Sequence, residues 1–328
     1  MNELTAAGIA AAEVLIRPDV EVTPLLWSPV LSSRLGCSVH LKCEHMHSVG
    51  SFKQRGALHK IKRLLSIKRH EEVITASTGN HGQAVAHVCR QAGILARVFV
   101  PDSTPRIKID GIRAFGGVVQ LLPGDAVTVE VAARQTALDR KISFIAPYND
   151  IDVILGQATV ATEILRQLPD VNAVFLSVGG GGLASGVGSA LQTLSPRTQL
   201  WGCWPEVSKG LYDSLSAGKI VTSPDRHTVA EGAGGNIEHD SVTFEICRRV
   251  LTGKTFASET EIESAMRLLI ESDRQLVEGA AALALAGLEK ERERFRGAKV
   301  VVVLCGRNLD PFRLLGIPGV GFPSSCHF

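Results

Sequence analysis

Apolar positions along the chain follow two periods. Short β-branched runs alternate with longer stretches of helical spacing. "EEVITAS" (71–77) precedes a helical stretch over 80–92, "ARVFVP" (96–101) precedes one over 104–115, and "VVQLLP" (118–123) follows. Alternation of this kind implies right-handed βαβ units and a parallel sheet. A second set comprises "AVFLSVGG" (173–180), a helix from 183, "QLWGCW" (199–204) and "KVVVVLCG" (299–306). Apolar spacing at i, i+3 and i+4 predicts helices over 241–251 and 260–272. No repeat, low-complexity segment or Pro/Ser-rich linker divides the chain. The pattern predicts two α/β lobes sharing an interface, with a ligand in the cleft between them.

Composition narrows the function classes. The chain has 328 residues, 45% hydrophobic and 21% charged, enough for a core larger than one small domain. The net charge is +2 with basic residues dispersed, and the absence of a basic stripe excludes nucleic-acid and membrane-surface partners. The densest basic run, "HKIKRLLSIKRH" (59–70), reads as a solvated helix face. Seven scattered cysteines without a CxxC pair argue against a disulfide framework and for a reducing compartment. The start has no basic n-region and the longest apolar runs are strand-length, so a cytoplasmic protein is expected.

Two stretches carry candidate chemistry. "SVGGGGLASG" (177–186) closes a strand and opens a helix. Its glycines expose successive backbone N–H groups, and the helix start adds positive potential; the pair suits a phosphate. No G-K-[ST] follows, which removes a P-loop. Gly179-x-Gly181-x-x-Ala184 also satisfies a dinucleotide pattern, with Glu206 near the end of the next strand. "SVGSFKQRGA" (48–57) places Lys53 at a helix start, where the dipole disfavours a cation and favours a neutral, nucleophilic amine. Ser51-x-x-Gln54 fits a capping box, so this helix is expected to begin at Ser51. A third turn, "ASTGNHGQAVA" (76–86), is rich in small donors and suits a carboxylate.

Four segments in order, "LKCEHMHSVGSFKQRGA", "ASTGNHGQA", "SVGGGGLASG" and "VVLCGRN" (302–308), resemble the fold-type II pyridoxal-phosphate enzymes of the threonine dehydratase, serine dehydratase and serine racemase group. The resemblance spans nearly the whole chain and displaces the nicotinamide reading. It implies a two-lobed, tryptophan synthase β-subunit-like α/β fold with parallel-rich twisted sheets flanked by helices. The large cofactor-binding domain is then expected over 1–70 and 150–328, and the small substrate-loop domain over 71–149.

The resemblance also implies roles. Lys53 is the Schiff-base lysine and Phe52 packs on the cofactor ring. Asn80 bonds the phenolic oxygen, while Gly179, Gly180, Gly181, Gly182 and Leu183 hold the phosphate. Ser77, Thr78, Gly79 and His81 surround the substrate carboxylate. Cys305 faces the ring nitrogen, and Glu278 in "LVEGAAAL" is an acid near the site. The implied activity is a pyridoxal 5'-phosphate dependent ammonia-lyase acting on a β-hydroxy amino acid such as L-threonine or L-serine. The implied assembly is a homodimer or larger homo-oligomer.

Departures from the family keep alternatives open. His47-Ser-Val-Gly50 replaces a Gln-x-Thr-Gly. The racemase-type cation ligands fall on Trp204 and Gly210, with Glu206 out of register, so no metal is expected there. "AEGAGGNI" (230–237) with Thr78 is similar to the hydroxyectoine-utilisation dehydratase branch, and a racemase of the same fold is a further alternative. With 328 residues in the sequence, no regulatory domain like that of the biosynthetic threonine dehydratases is expected. His40, Cys43, Glu44, His45 and His47 suggest zinc, but His40 and Cys43 would lie on opposite strand faces. From another class, a non-catalytic phosphate-ligand binder would keep the fold and leave Lys53 inert.

Overall fold

The computed structural model describes residues 3–68 and 70–309. The chain begins with α1 (Ala6–Ile16), β1 (Leu25–Trp27), α2 (Pro29–Leu35), β2 (Ser38–Lys42) and α3 (Lys53–Ile67). It continues through β3 (Glu72–Ala76), α4 (Asn80–Ala92), β4 (Leu95–Pro101), α5 (Arg106–Ala114), β5 (Val118–Leu122), α6 (Ala126–Asp139) and β6 (Ser143–Phe144). Next come α7 (Ile151–Gln167), β7 (Ala173–Ser177), α8 (Gly182–Leu194), β8 (Gln199–Pro205) and α9 (Gly210–Ala217). The last elements are α10 (Val242–Val250), β9 (Gly253–Ala257), α11 (Glu259–Asp273), α12 (Gly279–Glu291) and β10 (Lys299–Val303).

Two sheets result. The larger has the order β1-β2-β10-β7-β8-β9, parallel except for the antiparallel edge strand β1. The smaller, β5-β4-β3-β6, is parallel throughout. Its central strands β3 and β4 are buried nearly end to end, as strands covered on both faces by helices must be. The large-sheet core is continuous from Val39 and Leu41 through Val174 to Val302, and α7, α8 and α12 pack around it. One small-sheet core contains Val73, Val98 and Ile112, but it also draws in Ile16, Val20, Val49, Ala57, Leu58 and Ile61 from the chain before β3.

Glycine settles how closely α3 and α7 approach. A Cβ on Gly156 would stand 2.5 Å from the Arg55 carbonyl oxygen, so the two backbones touch there without side chains between them. The basic run after residue 59 is only partly a solvated face, because His59 and Ile61 are buried and His59 Nδ1 lies 2.6 Å from the Asp152 carbonyl oxygen. No described helix is long and apolar enough to cross a membrane. The six described cysteines are free and buried; Cys326 lies outside the described residues.

Candidate functional site

Three helix starts converge on one cavity of about 540 Å³. α3 contributes Phe52 and Lys53, α4 contributes Ser77, Thr78, Gly79, Asn80 and His81, and α8 contributes Gly179 to Gly182 with Leu183. Glu278, just before α12, and Cys305, just after β10, close the set. All fourteen residues singled out from the sequence therefore line the same space.

At Lys53 the local expectation needs correction. The helix begins at Lys53, with Phe52 in the cap position and no side-chain cap. Ser51 bridges to Gly306 instead; its hydroxyl is buried without a partner among the described residues, and Gln54 accepts from Ser48. The capping box fails because the segment after β10 claims this backbone: Phe52 N–H donates to the Cys305 carbonyl at 3.0 Å. Lys53 Nζ points into the cavity and donates to the Pro147 carbonyl at 2.7 Å. Withdrawal from bulk water brings its pKa down to about 8, against the opposing pull of Cys305, Glu278 and Glu130.

The tetraglycine turn is explained by packing as well as by donors. Gly181 has φ +87°, the left-handed region that favours glycine. A Cβ on Gly180 would overlap the Tyr148 ring. Among the described residues, the N–H groups of Gly179 through Leu183 have no protein acceptor, so the start of α8 offers a row of unpartnered donors. The start of α4 is similar: Gly79 N–H turns back to Ser77 Oγ at 3.3 Å, while the N–H groups of Thr78, Asn80 and His81 have no acceptor among the described residues.

The His81 side chain is engaged apart from its backbone N–H. Its Nε2 lies 3.0 Å from the Ile145 carbonyl oxygen, which makes Nε2 the protonated nitrogen and leaves Nδ1 bare. Burial, with Lys53 nearby, holds its pKa down at about 3, so the ring has no second proton to offer a carboxylate. Anion binding at this turn falls to backbone N–H groups and the Ser77 and Thr78 hydroxyls.

Asn80 is held from both ends. Its Nδ2 donates to Glu278 Oε1 at 2.8 Å and Oε2 at 3.1 Å, and its Oδ1 accepts from Asn308 Nδ2 at 2.7 Å. Burial raises Glu278 to about 7, against the hydrogen bonds from Asn80 and the Asn308 N–H. Burial likewise raises Cys305 to about 12, so its thiol is neutral; Ser177 Oγ stands 3.4 Å from its Sγ.

Several lining residues were not singled out from the sequence. Asn308 ends the "VVLCGRN" segment and was legible there; Ser177 likewise opens the tetraglycine stretch. Tyr148 follows Pro147 in a loop with no motif, and only the fold brings its ring under Gly180. Lys108 and Glu231 pair at the cavity edge, joining α5 to the 230–237 segment. Trp204 is buried in β8 and Glu206 is exposed. Glu44 pairs with Arg55 and His47, and His45 with Gln275, so the zinc candidates are engaged elsewhere. Among the described residues, no group of three or more His, Cys, Asp or Glu is placed to hold a metal ion.

Comparison with known proteins agrees with this geometry. The chain matches the family model described as pyridoxal-phosphate dependent enzyme over residues 16–306. It is 34% identical over 318 residues to the biosynthetic L-threonine dehydratase of Halalkalibacterium halodurans, covering 96% of this chain and 76% of that protein. It is 33% identical over 307 residues to the L-threo-3-hydroxyaspartate ammonia-lyase of Saccharomyces cerevisiae, covering 93% and 94%. The solved structure of maize serine racemase superposes with a TM-score of 0.90 at 27% identity, covering 95% of this chain and 96% of that one.

Proposed function

The chain belongs to the pyridoxal-phosphate dependent enzyme family, and on that premise we propose that it is an ammonia-lyase for a β-hydroxy amino acid such as L-threonine or L-serine. The observation that carries this reading is Lys53: an amine depressed to about 8 in a cavity ringed by two helix starts with unpartnered N–H groups and a neutral thiol.

The residues suit the cofactor. Lys53 Nζ would hold it covalently, the N–H groups from Gly179 to Leu183 would hold its phosphate, and Phe52 would cover a ring face. Cys305 would face the ring nitrogen, with Asn80, fixed by Glu278 and Asn308, beside the phenolic oxygen. When bound, pyridoxal phosphate supplies an electron sink for the pair left by a departing α-proton.

The chain's own groups do the rest. The Thr78, Asn80 and His81 N–H groups, with the Ser77 and Thr78 hydroxyls, bind the substrate carboxylate. The freed Lys53 amine takes the α-proton at Nζ, and a pKa of about 8 keeps an appreciable neutral fraction near neutral pH. The neutral Cys305 thiol cannot stabilise a protonated ring nitrogen as a carboxylate would, which favours loss of the β-hydroxyl. That hydroxyl leaves as water with one proton, in balance with the one that Lys53 Nζ takes from the α-carbon. Hydrolysis of the released enamine consumes one water and gives the 2-keto acid and ammonia.

The division into a 71–149 domain and a domain of 1–70 with 150–328 is part of this reading. Its support is that β3 to β6 form one sheet and the other strands another. Free, buried cysteines support a cytoplasmic setting, and we assign a homodimer or larger homo-oligomer. The test is a panel of L-threonine, L-serine, L-threo-3-hydroxyaspartate and their D-forms, with keto-acid detection and chiral analysis of residual substrate. Keto acid from an L-β-hydroxy amino acid is expected. A yellow, borohydride-reducible protein that only inverts the substrate would make it a racemase; a colourless one would make it a ligand binder.

A further inference from the structure

Behind the first turn of α3, away from the cavity, lies a buried lattice of charge. Arg55 follows Lys53 by two residues, so the helix turns its side chain about 200° from the lysine. The guanidinium uses all five of its N–H donors. Nε reaches Glu44 Oε2 at 2.7 Å, and Nη2 reaches Glu44 Oε1 and Glu163 Oε2 at 2.8 Å each. Nη1 reaches Glu163 Oε1 at 2.8 Å and Thr159 Oγ1 at 3.2 Å. Lys42 uses its three donors on Glu163 Oε2 at 2.7 Å and on the Thr23 carbonyl and Gln167 Oε1 at 2.9 Å each. These four charged side chains, two of each sign, are fully buried.

Such a lattice is a poor device for stability alone. Withdrawing four charges from water cancels much of their attraction, and an apolar core of similar volume is often as stable. Its distinctive property is direction: carboxylates on two sides fix a planar fork in one orientation. Glu44 lies in the turn between β2 and α3, and Glu163 lies on α7. The start of α3 has no side-chain cap and no acidic residue in its first turn. Backbone ties here are the Ser51–Gly306 bridge, Phe52 N–H to the Cys305 carbonyl and the close contact of Arg55 with Gly156, and the fork adds the side-chain anchor on the face opposite the lysine.

We propose that Arg55 is a positioning residue for Lys53: its fork, clamped between Glu44 and Glu163, pins the first turn of α3 and keeps the Lys53 amine inside the cavity. This rests on Lys53 as the cofactor-bearing residue. The titratable groups facing Lys53 are Cys305, Glu278, Glu130 and His81, and none belongs to the lattice. Loss of the fork therefore acts on the lysine through position.

The experiment measures Lys53 in cofactor-free protein, by pulse acetylation across pH and peptide mass analysis, together with cofactor affinity by absorbance. Arg55→Lys keeps the charge with three donors, and Arg55→Met removes it. Lys42→Met injures the same lattice at Glu163 but from β2. In both Arg55 variants the Lys53 pKa is expected to rise by about one pH unit toward the ordinary lysine value. Cofactor dissociation constants should rise roughly tenfold or more. Lys42→Met should lower the melting temperature yet leave both Lys53 quantities near wild type. If neither Arg55 variant accumulates as folded protein, Glu44→Gln, which removes one charge from the clamp and keeps its shape, carries the same expectation. Wild-type values in a folded clamp variant overturn the proposal, as does a Lys42→Met shift equal to that of the Arg55 variants. Failure of the cofactor reading shows separately, as borohydride-fixed cofactor on a lysine other than Lys53 in the wild type.

Discussion

At Lys53 the fold keeps an amine where its charged form is poorly solvated, and the cost is readable in pH. The folded pKa of about 8 lies below the ordinary 10.5, so between these values the unfolded chain holds a proton that the folded chain has released. Stability of the cofactor-free protein should therefore rise with pH across that window, with the full penalty present below pH 8. Lys53→Met should raise the melting temperature of cofactor-free protein at pH 7 and abolish that slope between pH 8 and 10. The same variant should lower keto-acid formation by roughly a thousandfold or more. Cys305 makes a second residue-level prediction. Cys305→Ser keeps a neutral donor and should change elimination only a few-fold, roughly. Cys305→Asp introduces an anion facing the ring nitrogen, so conversion of cofactor to its amine form should gain on keto-acid formation, measured by absorbance and product assay. An aspartate variant that eliminates as cleanly as wild type would place Cys305 away from the ring.

Single elements carry the binding. α8 is capped by Gly181 with φ +87°, and a Cβ there would stand 2.9 Å from Leu211. Gly181→Ala tests strain alone, and Gly181→Asp adds a negative charge at the anion-accepting helix start. Cofactor affinity should fall about tenfold in the first and by several kcal/mol in the second, read by absorbance titration. Equal affinities in the two variants would remove the phosphate from this turn. At this scale the strands were the legible part: the runs at 71–77, 96–101, 118–123, 173–180, 199–204 and 299–306 all fall on strands. α7 and α12 were not singled out, for a physical reason. Both are buried over most of their length, α7 from Val153 to Ile164 and α12 from Gly279 to Leu288, and in α12 that stretch is all small or apolar, with no polar face to create a period. The capping-box signal at Ser51 misled because a tertiary bridge to Gly306 outcompeted the local cap.

Across the molecule, the buried lattice ties β2, the turn after it, α3 and α7 together, and its acid response follows. Burial raises the Glu163 carboxyl, but Arg55 and Lys42 outweigh this and bring it to about 2, below its ordinary 4.5. The sign for a depressed acid is that its stabilisation is complete above pH 4.5 and is lost as pH falls toward 2. Urea midpoints should therefore hold from pH 7 to about 5 and drop steeply below 4.5. A flat profile down to pH 3 would show that the lattice does not hold Glu163 ionised. Lys108–Glu231 at the cavity edge and Arg134–Glu238 from α6 are partly exposed pairs, each contributing only about 0–1 kcal/mol.

The sequence alone determined the alternation of strands and helices, the three donor-rich turns and the lysine that stands among them, because these depend on neighbours a few residues apart. The tertiary structure decided what those turns meet. It set Tyr148 under Gly180, turned the His81 ring Nε2–H onto the Ile145 carbonyl, and locked Asn80 between Glu278 and Asn308. It also joined Arg55 to Glu163, 108 residues away. Contacts at such separations leave no period and no local motif. They exist only once the large sheet has brought β2, α3 and α7 side by side.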